Sequence, residues 1–341
     1  MPRRALFDWI CHDQYGETLP ILVGAFAELA RVETPAEAAR LIRAYGLPRE
    51  AVPTPLLNQP VVWQALLERM PMTALLRSLA KLTAVGALTP LGDDLAAVVS
   101  RLGDAQRIRK ARLHPLSLLM ALKVYASGRG DKGSLTWEPL PQIVDALNAA
   151  FYTAFENVEP TGKRLLLALD VSGSMANGSV AGSSLTPREA AAAMALVTAA
   201  REPQYHIVGF TAADGRDWSN GTAMAKLRLS ASMRLDDAVR ATSGLAFGRT
   251  DCALPMLYAL EKKLKVDAFV IYTDSETWAG KIHPVQALRE YRQKSGIAAK
   301  LVVVGMVSNE FSIADPADAC MLDVVGFDTA TPALIADFIR Q

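Results

Sequence analysis

Asp170, Ser172 and Ser174 stand at alternate positions where an apolar run, 165–169, gives way to polar residues. In an extended segment alternate side chains share one side, so one carboxylate and two hydroxyls converge. These are hard oxygen donors, the type that Mg²⁺ or Mn²⁺ prefers. Two later stretches can complete such a site: Gly248-Arg249-Thr250-Asp251 ahead of a helix, and Ile271-Tyr272-Thr273-Asp274-Ser275-Glu276 at a strand end. With Thr250 and Asp274 added, five oxygen side chains can surround one octahedral ion at about 2.0–2.1 Å, directly or through water. Only two of them are carboxylates, so the ion stays electron-poor and can accept an acidic group from a partner. The plainer alternative is that Asp170 and the serines cap a helix after the strand. Strand-end placement, with Thr-Asp and Thr-Asp-Ser following in order, favours the metal.

Holding distant loops together requires a sheet. The run before Asp170 has the composition of a central strand buried on both faces, and such strands present ligand sites at their carboxyl ends. Beyond Val158-Glu159-Pro160-Thr161-Gly162 the pattern alternates. Strands are expected at 164–171, 206–210, 268–273, 300–306 and 321–325, with an edge strand at 226–229. Helices are expected at 187–200, 235–241, 253–264, 284–295 and 332–340. The alternation implies a mostly parallel, doubly wound α/β sheet covered by helices on both faces. Residues 1–160 instead show apolar spacing near 3.6 over 19–31, 34–45, 61–70, 72–83, 93–102, 105–111, 115–125 and 141–155. Thr34-Pro35-Ala36-Glu37 reads as an N-cap with Pro at the first helical position and Glu at the third. Short amphipathic helices in succession fit an α-solenoid. Two domains are therefore expected, a helical repeat region at 1–160 and an α/β domain at 161–341.

The 341 residues suffice for two sizeable cores. Half of them are apolar and charges nearly cancel, 36 Lys and Arg against 35 Asp and Glu, which is ordinary globular composition. No apolar stretch reaches the ~20 residues that span a bilayer, and the start Met-Pro-Arg-Arg-Ala-Leu-Phe lacks a signal-peptide core. Cys11, Cys252 and Cys320 are odd in number and far apart. That pattern fits thiols in a reducing compartment, the cytoplasm, rather than a disulfide framework or a zinc site.

No nucleophile–base arrangement emerges. Ser172 and Ser174 lack a G-x-S-x-G elbow, and no Walker A loop or G-x-G-x-x-G after a strand occurs. His114 and His283 each precede a proline and His206 lies in an apolar strand, so structural roles are expected of all three. Residues 1–160 are near charge balance, 17 basic against 16 acidic, yet 101–132 concentrates eight basic residues. They are Arg101, Arg107, Arg109, Lys110, Arg112, Lys123, Arg129 and Lys132, against Asp104 and Asp131. Clustering of this kind can track phosphates and makes binding salt-sensitive. Arg77 and Lys81, four apart on one helix, share a face and can join it. A solvated helical surface is the simpler alternative.

The five oxygen ligands, Asp170, Ser172, Ser174, Thr250 and Asp274, resemble the metal-ion-dependent adhesion site of a von Willebrand factor A domain. Arg249 departs from that pattern, where many such domains have Gly before the Thr. Further segments resemble the family of the Ro 60 kDa autoantigen and its bacterial relatives, the TROVE-domain family. They are Thr73-Ala74-Leu75-Leu76-Arg77, Lys110-Ala111-Arg112-Leu113-His114-Pro115, Val158 to Arg164, Thr250-Asp251-Cys252-Ala253-Leu254-Pro255, Ala287 to Arg292 and Ile313-Ala314-Asp315-Pro316. The resemblance runs from about residue 54 to the end. It implies a ring of HEAT-like helical repeats closed by the A domain, binding Y-like small non-coding RNA or defective RNA; with no nucleophile–base pair, the expectation is a protein that is not an enzyme. It also leaves room for an RNA-processing nuclease or another protein at the metal site. The helical part matches only the second half of such a ring, so no RNA contact carries over by position. The chain then reads as a short relative, an N-terminally truncated product, or part of an assembly that completes the ring.

Overall fold

The segment Leu165–Asp170 forms β1, buried at all six positions, as an apolar strand needs when helices cover both sheet faces. The structure is a computed structural model describing residues 2–12, 20–130, 133–180, 184–211, 224–230, 232–243, 250–274, 280–307, 313–326 and 330–341. The chain divides into two compact units, Met1–Leu113 with Ala121–Ala150, and His114–Met120 with Phe151–Gln341.

The helices that precede β1 are α1 Pro2–His12, α2 Ile21–Ala30, α3 Pro35–Tyr45, α4 Pro60–Leu67, α5 Met72–Ala84, α6 Asp93–Gly103, α7 Ala105–Lys110, α8 Pro115–Ala126 and α9 Pro141–Thr153. Each of the eight expected helices is present, with ends shifted by a few residues. α1 was not legible: Ala5 is buried while Phe7 and Ile10 are exposed, so no continuous apolar stripe marks it. Thr34 caps α3 by accepting the Glu37 N–H at 3.4 Å, and Gly46 ends the helix in the left-handed region at φ 67°. Later in this unit the Tyr125 hydroxyl meets Thr83 Oγ1 at 2.9 Å and accepts the Leu140 N–H at 3.2 Å.

In the second unit β1 is followed by α10 Pro187–Arg201, β2 Tyr205–Phe210, β3 Met224–Lys226, α11 Leu235–Ser243, α12 Leu254–Glu261, β4 Ala268–Thr273, α13 Pro284–Ser295, β5 Lys300–Gly305, β6 Met321–Val325 and α14 Thr331–Arg340. The sheet order is β3-β2-β1-β4-β5-β6. Neighbours are parallel except β3, which runs antiparallel to β2 at the edge. The edge strand therefore lies slightly earlier than the expected 226–229. From β1 the chain winds outward through β2 and β3, then resumes on the other side with β4, β5 and β6. The winding reverses between β1 and β4, and ligand crevices in open α/β sheets form outside the carboxyl ends at such a reversal.

On one face Leu166, Ala168, Phe269 and Ile271 pack with Met256, Ala259, Leu288 and Tyr291 from α12 and α13. On the other, Leu165, Leu167, Val270 and Tyr272 meet Met194 and Val197 of α10 and Ile335 and Ile339 of α14 around a cavity of about 60 Å³. Proline begins α10 and α13 and stands second in α14, and Thr186 with Glu189 forms a reciprocal capping box at α10.

Candidate functional site

Register puts Leu169 beside Tyr272, so Asp170 and Thr273 are the next neighbours at the carboxyl ends of β1 and β4. Equal positions on parallel neighbours share a face. The Thr273 hydroxyl accordingly donates to Asp170 Oδ2 at 2.7 Å. Thr250, at the entrance to the turn before α12, donates to the same oxygen at 3.0 Å. Asp170 Oδ1 accepts the Ser172 N–H at 2.8 Å, which folds the loop after β1 back over its own strand end. Ser172 Oγ then stands 3.0 Å from Ser174 Oγ.

Three of the loops named from sequence thus meet at one rim. Asp170, Ser172, Thr250 and Thr273 are buried, Ser174 is exposed and Asp274 is partly buried, so the rim opens on one side. Burial pushes the Asp170 carboxyl above the ordinary range, the Ser172 and Thr273 hydrogen bonds pull it back, and the Asp274 charge pushes it up again. Arg249, Ser275 and Glu276 lie outside the described residues.

Two further residues take part that sequence spacing alone does not reveal. Thr273 was read only as strand, although alignment of β4 beside β1 puts its hydroxyl on the Asp170 side. Arg188, near the start of α10, is the other. Its guanidinium is buried and donates to the Ser172 carbonyl at 2.9 Å, the Val171 carbonyl at 3.4 Å and Ser243 Oγ at 3.3 Å. A cation at a helix N-terminus opposes the helix dipole. Burial lowers its pKa, while the negative charges of Asp170 and Asp274 raise it and thus favour the charged guanidinium. Arg188 therefore fastens the Asp-x-Ser-x-Ser loop and balances part of the rim's negative charge.

Next to Thr250, Asp251 is buried and turns inward to cap the following turn, accepting the Ala253 N–H at 3.0 Å. Gly280 lies flat against it, and a Cβ there would fall 2.5–2.7 Å from the carboxyl atoms. Among the described residues no three His, Cys, Asp or Glu side chains converge as a metal cluster. A cation at this rim depends instead on hydroxyls and two carboxylates. That all-oxygen donor set suits Mg²⁺ or Mn²⁺ and disfavours a thiolate- or imidazole-seeking ion.

The cationic residues of the helical unit fall into separate groups. Arg77 is exposed on α5, one turn from Lys81, whose Nζ donates to Asn58 Oδ1 at 2.8 Å. Lys81 lines a cleft of about 690 Å³ together with Asn58, Gly133, Ser134 and Thr136. Arg129 sits on the same hairpin, bridged to Thr136, while Lys132 lies outside the described residues. Arg107, Arg109 and Lys110 are exposed on α7, with Arg107 paired to Asp104, and Arg112 is exposed just beyond. Lys123 is partly buried on α8. Arg101 leaves the basic group. It donates to the Leu67 carbonyl at 2.8 Å and to the Met70 carbonyl, holding the end of α4. His114 and His283 each cap the helix they precede, accepting the Leu116 and Val285 N–H groups at 3.2 and 3.3 Å.

With this geometry established, comparison with known proteins gives consistent matches. Residues 164–339 match the model of the Ro60 vWA domain, and residues 46–123 match the TROVE domain. The chain is 46% identical over 320 residues to the RNA-binding protein RO60 of Caenorhabditis elegans, covering 93% of this chain and 48% of that protein. It is also 46% identical over 310 residues to the RNA-binding protein RO60 of Deinococcus radiodurans, covering 90% of this chain and 56% of that protein. The crystal structure of the Deinococcus radiodurans RO (RSR) protein superposes with a TM-score of 0.92 at 42% identity, covering 99% of this chain and 67% of that one. The chain spans about half the length of the two RO60 relatives it matches. It belongs to the Ro60 family, with TROVE helices followed by a Ro60 von Willebrand factor A domain.

Proposed function

We propose that this chain is a non-enzymatic RNA-binding protein of the Ro type. It takes small non-coding or defective RNA through the cationic surface of its helical unit. The supporting observation is its 46% identity, over nine-tenths of its length, to relatives named RNA-binding protein RO60. Lys81, held by Asn58 beside the hydroxyls of Ser134 and Thr136, offers a charged donor and neutral donors to one phosphate. Arg77, Arg107, Arg109, Lys110, Arg112, Lys123, Arg129 and Lys132 supply further cations along the unit. Contacts of this kind position a strand without reading its bases.

The A domain carries a divalent cation, Mg²⁺ or Mn²⁺, on Asp170, Ser172, Ser174, Thr250 and Asp274. When bound, the ion supplies a Lewis-acid position for an anionic group of a partner, an RNA-processing nuclease or another protein. Thr273 orients the Asp170 carboxylate and Arg188 holds the serine loop. The free thiols of Cys11, Cys252 and Cys320 suit a cytoplasmic setting. Fluorescence anisotropy with a labelled structured small RNA tests the reading. Binding should weaken steeply with salt, and Lys81→Glu should weaken it further while reducing the salt slope by about one. Absence of salt-dependent binding by the unaltered protein would overturn the assignment.

A further inference from the structure

At the amino end of the sheet, opposite the metal rim, the starts of β1, β2 and β4 enclose a cleft of about 490 Å³. Arg164, Pro203, Gln204, Tyr205, His206 and Lys265 line it. Six residues of β1 separate it from Asp170, roughly 20 Å at 3.3 Å per residue, so the two sites are distinct. The charge balance at the cleft is one-sided. Asp267 is consumed by Arg164, whose Nε and Nη2 donate to its oxygens at 2.9 and 2.5 Å while the Arg164 N–H donates at 2.8 Å. Glu202 is buried and accepts the Thr161 and Gly162 N–H groups. That leaves Lys265, which is exposed and makes no salt bridge among the described residues, and Lys163, close enough to act on the Asp267 charge. Lys226, across the β2–β3 edge, adds a positive charge beside His206. The Tyr205 and His206 rings, on opposite faces of β2, are both partly exposed, and Tyr205 and the exposed Gln204 line the cleft with Lys265.

An exposed lysine beside a partly exposed tyrosine ring suits a nucleotide unit of a single strand, phosphate on the lysine and base on the ring. A volume near 500 Å³ lies within the roughly 300–1,000 Å³ of small-ligand sites. We propose that this cleft is a second RNA contact, on the A domain, gripping one phosphate and one unpaired base of a single-stranded segment through Lys265 and Tyr205. The proposal rests on the RNA-binding reading above and extends it to a surface that reading does not use.

The test measures anisotropy of a fluorescein-labelled oligouridylate with the full chain and with Lys265→Glu, Tyr205→Ala and, in the helical unit, Lys81→Glu. Both A-domain substitutions replace side chains at the surface or cleft, and their thermal midpoints are to match the unaltered chain. Tyr205→Ala should weaken binding about fivefold or more, the loss of one stacked base. Lys265→Glu should weaken it and lower the salt slope by about one. Unchanged affinity in both, with Lys81→Glu still weakened, overturns the second contact and leaves the helical reading standing. No binding by the unaltered chain overturns both. Displacement by stoichiometric uridine monophosphate would show a free-nucleotide site and overturn the strand assignment.

Discussion

Replacing Thr273 by Val keeps the side-chain shape and removes one hydroxyl from the rim. Thr273 is fully buried, and its Oγ1 donates to Asp170 Oδ2 at 2.7 Å. A hydrogen bond to a charged group contributes about 1.5–3 kcal/mol. The added methyl returns about 0.8 kcal/mol by apolar burial. The net loss should be about 1–2 kcal/mol, read as a lower urea midpoint at unchanged m value. Thr273→Ser, which keeps the hydroxyl, should retain the bond and lose only the methyl. The same bond orients a carboxylate proposed to hold the cation, so Thr273→Val should weaken Mn²⁺ binding by about tenfold or more in isothermal titration, as removal of such supports does elsewhere. Wild-type urea midpoint and wild-type Mn²⁺ affinity together in Thr273→Val would refute the reasoning that Thr273 organises the rim.

Gly280→Ala would force a Cβ to within 2.5–2.7 Å of the Asp251 carboxyl group. Displacing that buried cap beside Thr250 should cost about 1–3 kcal/mol in urea unfolding, with weaker Mn²⁺ binding in the same protein. His114 makes a pH prediction: burial lowers its pKa to about 4, and its Nε2 is buried without a hydrogen-bond partner among the described residues. The unfolded chain takes up this proton near pH 6.5 and the folded chain only near 4, so stability is full above 6.5 and falls toward pH 4. The fall amounts to about 3 kcal/mol, and His114→Asn, which can still cap α8, should flatten it in urea titrations across that window.

The sheet was legible because β1 and β4 are apolar up to their last residues, Asp170 and Thr273, and a strand buried on both faces writes its burial into consecutive residues. The Asp-x-Ser-x-Ser loop was legible because alternation fixes which side chains share a side. Thr273 was not, because its role depends on which strand lies beside β1, and pairing is a long-range fact. Arg188 runs against the expectation for a helix start, since its function is set by carboxylates elsewhere in the sequence. Arg101 sits in a basic stretch yet serves the Leu67 carbonyl at the end of α4 and the Met70 carbonyl just beyond it, a reminder that charge counted along a chain ignores where each side chain points. α1 lacked the stripe that reveals a helix, Ala5 being its buried position among the described residues 4–12.

Loops from β1, the turn before α12 and the end of β4 meet at one rim, which we propose holds a divalent cation. Mn²⁺ titration of the full chain and of Asp170→Ala, followed by electron paramagnetic resonance, addresses it most directly. The account predicts one tightly held Mn²⁺ per chain, lost in Asp170→Ala while circular dichroism stays that of the folded protein. A folded Asp170→Ala that still holds one Mn²⁺ per chain, or an unaltered chain that holds none, would contradict it.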